Sequence, residues 1–260
     1  AMMRLYEDNL LKPFAIASRE IEKARMKTIG MIGGMSWEST VSYYKAINRS
    51  VKEALGESHS AKIWLYSLDF EEIKTLQHQG EWQKAAKILS DAAQKLETAG
   101  ADFLMICANT MHKVAEEVQA EIFIPVLHIA DVTADALVAD GVTKVGLLGT
   151  QFTMGESFYK DRVSEKYGIE VIVPEKSQQE IVHNIIYAEL IMGEIKDDSR
   201  QRYLEVIEQL HAQGAQAVIL GCTEIALLVQ QHHTKVPLYD TTDIHAAHAV
   251  MLALSSQSLE

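Results

Sequence analysis

The chain contains two cysteines, and each follows an apolar run that indicates a buried strand. Cys107 lies in ICANTMH and Cys222 lies in LGCTEIA. A thiol can serve as an acid, a base or a nucleophile when its pKa suits the task. Because free cysteine is also among the most buried residue types, the residues around each thiol must decide between a chemical and a structural role.

Cys222 precedes Thr223 and Glu224 at a predicted helix start. The partial positive charge of a helix N-terminus stabilises a thiolate, so the sequence predicts a lowered pKa and a role as base or nucleophile. Asn109 and Thr110 have the matching place after the other apolar run. They either cap the next helix or donate hydrogen bonds to a bound carboxylate.

A glycine-rich segment, GMIGGMSWEST, follows the first predicted strand. Its spacing matches neither the dinucleotide fingerprint nor the P-loop, which argues against nucleotide binding. Amides and the hydroxyl of Gly34, Met35 and Ser36 could hold a carboxylate, and the alternative is a plain strand-to-helix turn.

A similar segment, GTQFTM, follows a later strand and offers Thr150 and Thr153. Their hydroxyls either bind a carboxylate or cap the next helix, and the two roles are compatible. None of the ten histidines stands in a zinc-like pattern, so the sequence predicts no metal site.

Short β-branched apolar runs alternate with longer amphipathic segments from Lys27 onward. Continuous apolar strands separated by helices predict an α/β fold with parallel sheets covered on both faces. GMIGGMS resembles GLLGTQFT, and each is followed by a cysteine after a nearly constant interval. This weak repeat predicts two pseudo-symmetric, doubly wound halves whose strands end in one cleft, where we expect the active site.

The predicted organisation has three parts. Residues 1–25 form an N-terminal helical extension, residues 26–130 with about 242–260 form the first α/β domain, and residues 131–241 form the second. We expect a cytoplasmic protein, because two cysteines on separate strands make a poor disulfide framework. The net charge of −12 disfavours nucleic acid, and no apolar run is long enough for a membrane span.

Taken together, these motifs resemble the aspartate/glutamate racemase family of PLP-independent amino-acid racemases, in particular the enteric broad-specificity or L-aspartate/glutamate-specific branch. The resemblance covers about residues 27–255, and GMIGGMSWEST, ANTMHKV, LLGTQFTM and GCTEIALLV carry it most clearly. It implies two pseudo-symmetric α/β domains, a homodimer, and aspartate or glutamate as the substrate. It also implies two opposed thiols that exchange the α-proton without a cofactor.

The resemblance implies a site residue by residue. Cys222 matches one of the two family cysteines, and Thr110 is a candidate relay to the other face of the α-carbon. The expected ligands of the substrate are Gly34, Met35, Ser36, Asn109, Thr150, Thr153 and Thr223, with Glu224 orienting its neighbours.

The other family cysteine precedes Asn-Thr directly, but Ala108 stands there and Cys107 comes one residue early. Successive side chains of a strand point to opposite faces, so we expect Cys107 to be buried. Three outcomes are open. Racemisation is slow and one-sided, or a bulge brings Cys107 into the cleft, or the protein binds an amino acid without racemising it. A related cysteine isomerase of the hydantoin or maleate type is a further alternative.

Overall fold

The computed structural model describes residues 26–255. The predicted helical extension, residues 1–25, lies outside the described residues. The strands are β1 (Ile29–Gly33), β2 (Ile63–Ser67), β3 (Phe103–Ile106), β4 (Lys144–Gly149), β5 (Glu170–Ile172), β6 (Ala217–Gly221) and β7 (Leu238–Asp240). The helices are α1 (Trp37–Leu55), α2 (Phe70–Gln79), α3 (Trp82–Thr98), α4 (Ala115–Ala120), α5 (Ile129–Ala139), α6 (Gln151–Gly155), α7 (Ser157–Tyr167), α8 (Lys176–Ala188), α9 (Asp197–Ala212), α10 (Ile225–Leu228) and α11 (Thr241–Leu254). Short 3₁₀ turns cover Thr110–Val114, Leu190–Met192 and Gln231–His233.

The described residues divide into two compact units. Unit 1 comprises 26–107, 114–128 and 245–255, and unit 2 comprises 108–113 and 129–244. Each unit has a sheet in which every strand pair is parallel. The predicted α/β class with two parallel sheets is therefore confirmed. Parallel neighbours need crossover connections, and the helices supply them.

Unit 1 has the strand order β2-β1-β3, and a bridge from Leu104 to Val126 continues the sheet beyond β3. All residues of β1 and β3 are buried, which explains their uninterrupted apolar sequences. One face of this sheet packs against α1 and α11 in a core that includes Tyr43, Phe103 and Val250.

Unit 2 has the order β5-β4-β6-β7. In each unit the first strand, β1 or β4, lies between the second strand, β2 or β5, and the third, β3 or β6. In unit 2 a fourth strand, β7, pairs with β6 on its outer side. The core on one face of this sheet includes Leu148, Val182, Tyr203 and Val218. The weak repeat in the sequence thus corresponds to one topology used twice.

Both units start a helix directly after their first strand. Ser36 caps α1 and accepts a hydrogen bond from the amide of Ser39, and Thr150 caps α6 and accepts one from the amide of Thr153. These caps place polar side chains at the carboxyl end of each central strand. No described helix is both long and apolar enough to cross a bilayer.

Candidate active site

The strand registers identify the residue of unit 1 that is equivalent to Cys222. Gly30 of β1 pairs with Leu104 of β3, and the equivalent Gly146 of β4 pairs with Val218 of β6. Counting four residues on from each partner gives Ala108 in one repeat and Cys222 in the other. The position that mirrors the Cys222 thiol therefore carries a methyl group.

Cys107 belongs to the core of unit 1. Its side chain is fully buried on the face of β3 that also carries Phe103 and Met105. Its amide donates to Ile32 and continues the regular ladder between β1 and β3, so the bulge that would expose this thiol is not formed. Burial raises the pKa of Cys107, which keeps it a thiol. The predicted burial of Cys107 is confirmed.

Cys222 follows β6 and is 8% exposed. Its thiol donates to Oε2 of Glu224 at 3.0 Å, and the Thr223 hydroxyl donates to the same oxygen at 2.7 Å. Glu224, itself buried, thus collects both neighbouring donors.

The prediction of a lowered pKa for Cys222 is wrong. Burial raises the pKa well above its usual value, and the charge and hydrogen bond of Glu224 raise it further. Backbone amides of Glu224 and Ile225 act in the opposite direction but are outweighed. Since α10 has only four residues, it adds little dipole of its own. Cys222 rests as a protonated thiol.

Three threonine hydroxyls meet in unit 2. Oγ1 of Thr110 lies 2.9 Å from that of Thr150 and 3.3 Å from that of Thr153, and the last two are 3.4 Å apart. All three side chains are buried. We call Thr110, Thr150 and Thr153 the threonine cluster.

The threonine cluster and Cys222 lie at the same end of the unit 2 sheet. We call this end, formed by the carboxyl ends of β4 and β6, the unit 2 edge. Gly149 at the end of β4 pairs with Gly221 at the end of β6. Thr150 and Cys222 are the residues that directly follow these two strands. A Cβ on Gly149 would lie 2.8 Å from the Gly221 carbonyl oxygen and 3.0 Å from Cβ of Thr153. Glycine is therefore needed for this close approach.

Asn109 is held beside this edge through Thr241. The Thr241 hydroxyl donates to the Leu220 carbonyl and accepts from Nδ2 of Asn109 at 3.0 Å. This network fixes the amide orientation and leaves Oδ1 of Asn109 buried without a partner among the described residues. A buried orphan acceptor is costly unless a ligand donates to it.

His112 fixes the loop that carries these residues, a role that the sequence did not reveal. Its Nδ1 lies 2.7 Å from the Ala108 carbonyl oxygen, and its Nε2 lies 3.2 Å from the Ile129 amide. An amide can only donate, so Nε2 accepts and the proton on Nδ1 is donated to Ala108. The ring is thus a neutral, buried link rather than a reacting group.

Tyr187 is a second neighbour of the thiol that sequence reasoning missed. Burial raises its pKa, and Cys222 and Glu224 raise it further. Its ring lies 4.7 Å from that of His183, whose Nδ1 accepts from the Gln151 amide at the start of α6. The helical spacing of α8 gave no reason to separate these two residues from ordinary core positions.

The glycine loop lies in unit 1. Gly34 has a positive φ of 87°, and its amide donates to Oγ1 of Thr40. Met35 and Ser36 are buried, and Ser36 caps α1 as described above. The turn is therefore satisfied internally, and the assignment of these residues to a substrate stays a prediction.

No group of three His, Cys, Asp or Glu side chains that could hold a metal ion occurs within residues 26–255. The polar groups of the unit 2 edge are instead a thiol, hydroxyls, an amide and a carboxylate. Such a set can hold a small zwitterion and move a proton at a carbon beside its carboxylate.

Comparison with known proteins identifies the family of this chain. The chain is 53% identical to a solved structure of a candidate Asp/Glu racemase from Yersinia pestis, with a TM-score of 0.83. It is 36% identical to the structure of an aspartate racemase homologue from Pyrococcus horikoshii OT3, with a TM-score of 0.77. Each match covers 88% of this chain and 100% of the other. It is 26% identical to a broad specificity amino-acid racemase of Bacillus subtilis (strain 168), over 88% of this chain and all of that protein. The sequence model described as Asp/Glu/Hydantoin racemase matches residues 32–249. The chain belongs to the Asp/Glu/hydantoin racemase family.

Proposed function

We propose that the protein is an amino-acid racemase-like isomerase that moves a proton at the α-carbon of a small acidic amino acid. The observation that carries this proposal is the shared edge of unit 2, where the Cys222 thiol and the threonine cluster follow paired residues of β4 and β6. Membership of the racemase family and the names of its relatives support it.

Cys222 is the group that gives and takes the proton on one face. For abstraction, the thiol proton passes to Glu224, to which it is already hydrogen-bonded, and the thiolate removes the α-proton. The electron pair left on the α-carbon delocalises into the substrate carboxylate. Hydroxyls of the threonine cluster stabilise the developing oxyanion as preorganised donors. Return of a proton to the α-carbon completes the exchange.

Asn109 receives the substrate ammonium in this scheme. Its buried Oδ1 is an acceptor, and an ammonium group is the donor that an amino acid supplies. The chemistry requires no PLP, because the carboxylate itself carries the charge of the intermediate. A thiol with this task needs a reducing compartment, which supports a cytoplasmic location.

Ala108 determines how complete the reaction is. A methyl group neither gives nor accepts a proton, so the second face depends on the Thr110 hydroxyl or on water. Lack of a positioned acid or base costs roughly 10²- to 10⁴-fold in rate. We therefore expect slow, one-sided racemisation. The same residue favours a second candidate function, an amino-acid-binding protein without turnover.

The deciding experiment follows α-deuteration by NMR in D₂O and enantiomer composition by chiral chromatography. L- and D-aspartate and L- and D-glutamate are each incubated with wild type, Cys222→Ser and the matched control Cys107→Ala. We expect exchange with slow inversion in wild type and in the folded control, and neither in Cys222→Ser. Absence of exchange with all four, together with measurable binding, would reject the isomerase in favour of the binding protein.

A further inference from the structure

Helix α6 is too short to hold its own position. It has five residues, and forming a single helical turn is unfavourable in isolation. The helix that follows the first strand of unit 1, α1, has nineteen residues and buries one face along its length. Thr150 caps α6 and Thr153 belongs to it. The positions of these two hydroxyls are therefore set in part by contacts from outside the helix.

His183 of α8 makes one such contact. Its Nδ1 lies 3.2 Å from the amide nitrogen of Gln151, the first residue of α6. This amide is one of the donors at a helix start that no carbonyl of the same helix can satisfy. Because an amide can only donate, Nδ1 accepts, and the ring is neutral with its proton on Nε2. His183 is 9% exposed, so little water reaches it as a substitute.

Two aromatic rings fix the plane of this imidazole. The Phe152 ring of α6 meets it edge to face at a centroid distance of 6.2 Å, and the Tyr187 ring, one turn further along α8, lies 4.7 Å away. Aromatic contacts of this kind favour defined ring orientations. The Nδ1 lone pair lies in the ring plane, so these contacts keep it directed at Gln151.

Helix α8 also reaches the surroundings of the thiol. Its buried face belongs to the same hydrophobic core as Leu148 of β4 and Cys222. Tyr187 packs against this core, and burial and then the charges of Cys222 and Glu224 raise the pKa of its hydroxyl. One helix therefore contacts both parts of the unit 2 edge, the start of α6 through His183 and the surroundings of the thiol through Tyr187.

We propose that His183 is a positioning residue for the proton transfer assigned to Cys222. Through the Gln151 amide it fixes the start of α6, and with it the distance and direction of the Thr150 and Thr153 hydroxyls relative to the thiol. This inference rests on the proposed function, because it takes the threonine cluster as the donors to the developing oxyanion. His183 acts through α6 and is not a group that touches the substrate.

Loss of the His183 acceptor should affect kcat rather than KM. Preorganised hydroxyls stabilise the transition state more than the bound amino acid, so their displacement lowers kcat and leaves KM nearly unchanged. His183→Leu removes the acceptor and keeps an apolar side chain. Because a misplacement of about 1 Å is costly, we expect this variant to lower kcat for α-deuteration of aspartate or glutamate by roughly 10- to 100-fold.

His183→Asn separates the acceptor from the bulk of the ring. Oδ1 of asparagine lies nearly where Nδ1 of histidine lies and also accepts hydrogen bonds, so this variant should keep the Gln151 contact and most of the wild-type kcat. His211→Leu is the matched control, because Nδ1 of His211 bonds the Ala215 carbonyl oxygen just before β6, at the amino end of the same sheet. It should lower the melting temperature without changing kcat.

Two NMR measurements test the contact without relying on turnover. Amide hydrogen exchange at Gln151 should be faster than in wild type in His183→Leu, but not in His183→Asn or His211→Leu. In wild type labelled with ¹⁵N-histidine, Nδ1 of His183 should give the signal of an unprotonated ring nitrogen at neutral pH, and the signal that disappears in His183→Asn assigns it. A protonated Nδ1 would overturn the proposal even if His183→Leu does not fold.

The kinetic outcomes distinguish this inference from the proposed function. Absence of α-deuteration by wild type would reject the proposed function and this inference with it. Normal α-deuteration by wild type, together with an unchanged kcat in folded His183→Leu, would overturn this inference alone. An equal loss of kcat in the Leu and Asn variants, or a raised KM at constant kcat, would do the same.

Discussion

The Cys222 thiol donates a hydrogen bond to the Glu224 carboxylate at 3.0 Å, and this contact explains why a thiol at a strand end rests protonated. Burial disfavours the thiolate, and a carboxylate beside it disfavours the thiolate further. The same contact provides an acceptor for the thiol proton when the thiolate must form. Glu224 thus lowers the resting thiolate population while it prepares the proton transfer.

Replacing Glu224 should make Cys222 more reactive toward alkylation. Glu224→Gln removes the negative charge that raises the thiol pKa, so iodoacetamide should react roughly tenfold faster or more near pH 8. Mass spectrometry of the modified peptide measures the rate at Cys222 separately from Cys107. Thr223→Val is the control, since it removes the other donor to Glu224 and keeps the charge. An unchanged rate in Glu224→Gln would contradict the assigned electrostatics.

The sequence predicted those features that depend on periodicity and chain order. Uninterrupted apolar strands indicated parallel sheets. Cys107 lies one residue before the position of the family cysteine, and because side chains alternate along β3, this shift predicted that Cys107 is buried. Nearly equal intervals, from Gly30 to Cys107 and from Gly146 to Cys222, suggested the repeat. The strand registers make Ala108, and not Cys107, the residue equivalent to Cys222.

Features that depend on contacts between distant segments were not predictable. The position of Cys222 before a helix start predicted a lowered thiol pKa, because a helix N-terminus carries partial positive charge. In the structure, burial and the Glu224 side chain raise this pKa instead. His112 and Tyr187 gained their roles from packing against Ile129 and His183. Helical spacing or residue type alone gives no sign of these partners.

A cysteine at position 108 should restore the missing proton donor. Ala108→Cys puts a thiol at the position that mirrors Cys222 in the strand registers, and inversion of aspartate or glutamate should speed up by roughly 10²- to 10⁴-fold. Chiral chromatography measures the inversion rate. Ala108→Ser is the control for size and polarity, because a hydroxyl is a much weaker acid. A gain that persists in the double variant with Cys222→Ser would contradict the two-sided scheme.

Glycine at 149 should be essential to the shape of the edge. Gly149→Ala directs a methyl group at the Gly221 carbonyl and at Thr153, so we expect a loss of about 1–3 kcal/mol in the free energy of unfolding. Urea denaturation followed by circular dichroism measures it. Gly155→Ala in α6 is the matched control, because nothing lies within 4 Å of its added Cβ. Equal stability of the two variants would show that the edge relaxes easily.

Asp240, at the end of β7, should make stability depend on pH. Burial raises its pKa from 3.8 to about 7, and the nearby charge of Asp243 contributes. The folded state therefore holds a proton that the unfolded state releases between these pH values. Stability from this group is greatest below pH 3.8 and falls as the pH rises to about 7, above which the carboxyl ionises in the folded state as well and the loss is complete.

Asp240→Asn should remove this dependence while keeping a cap, since Asp240 accepts from the amide of Thr242 at the start of α11 and an amide oxygen can do the same. The difference in melting temperature between Asp240→Asn and wild type should increase from pH 4.5 to pH 8. The increase should be roughly 2–4 °C for each kcal/mol by which ionisation of Asp240 destabilises the wild type. Asp240→Ala separates the two contributions, because it loses the cap at every pH but should show the same relative rise. A difference between wild type and Asp240→Asn that stays constant across this range would mean that Asp240 is ionised in the folded protein throughout.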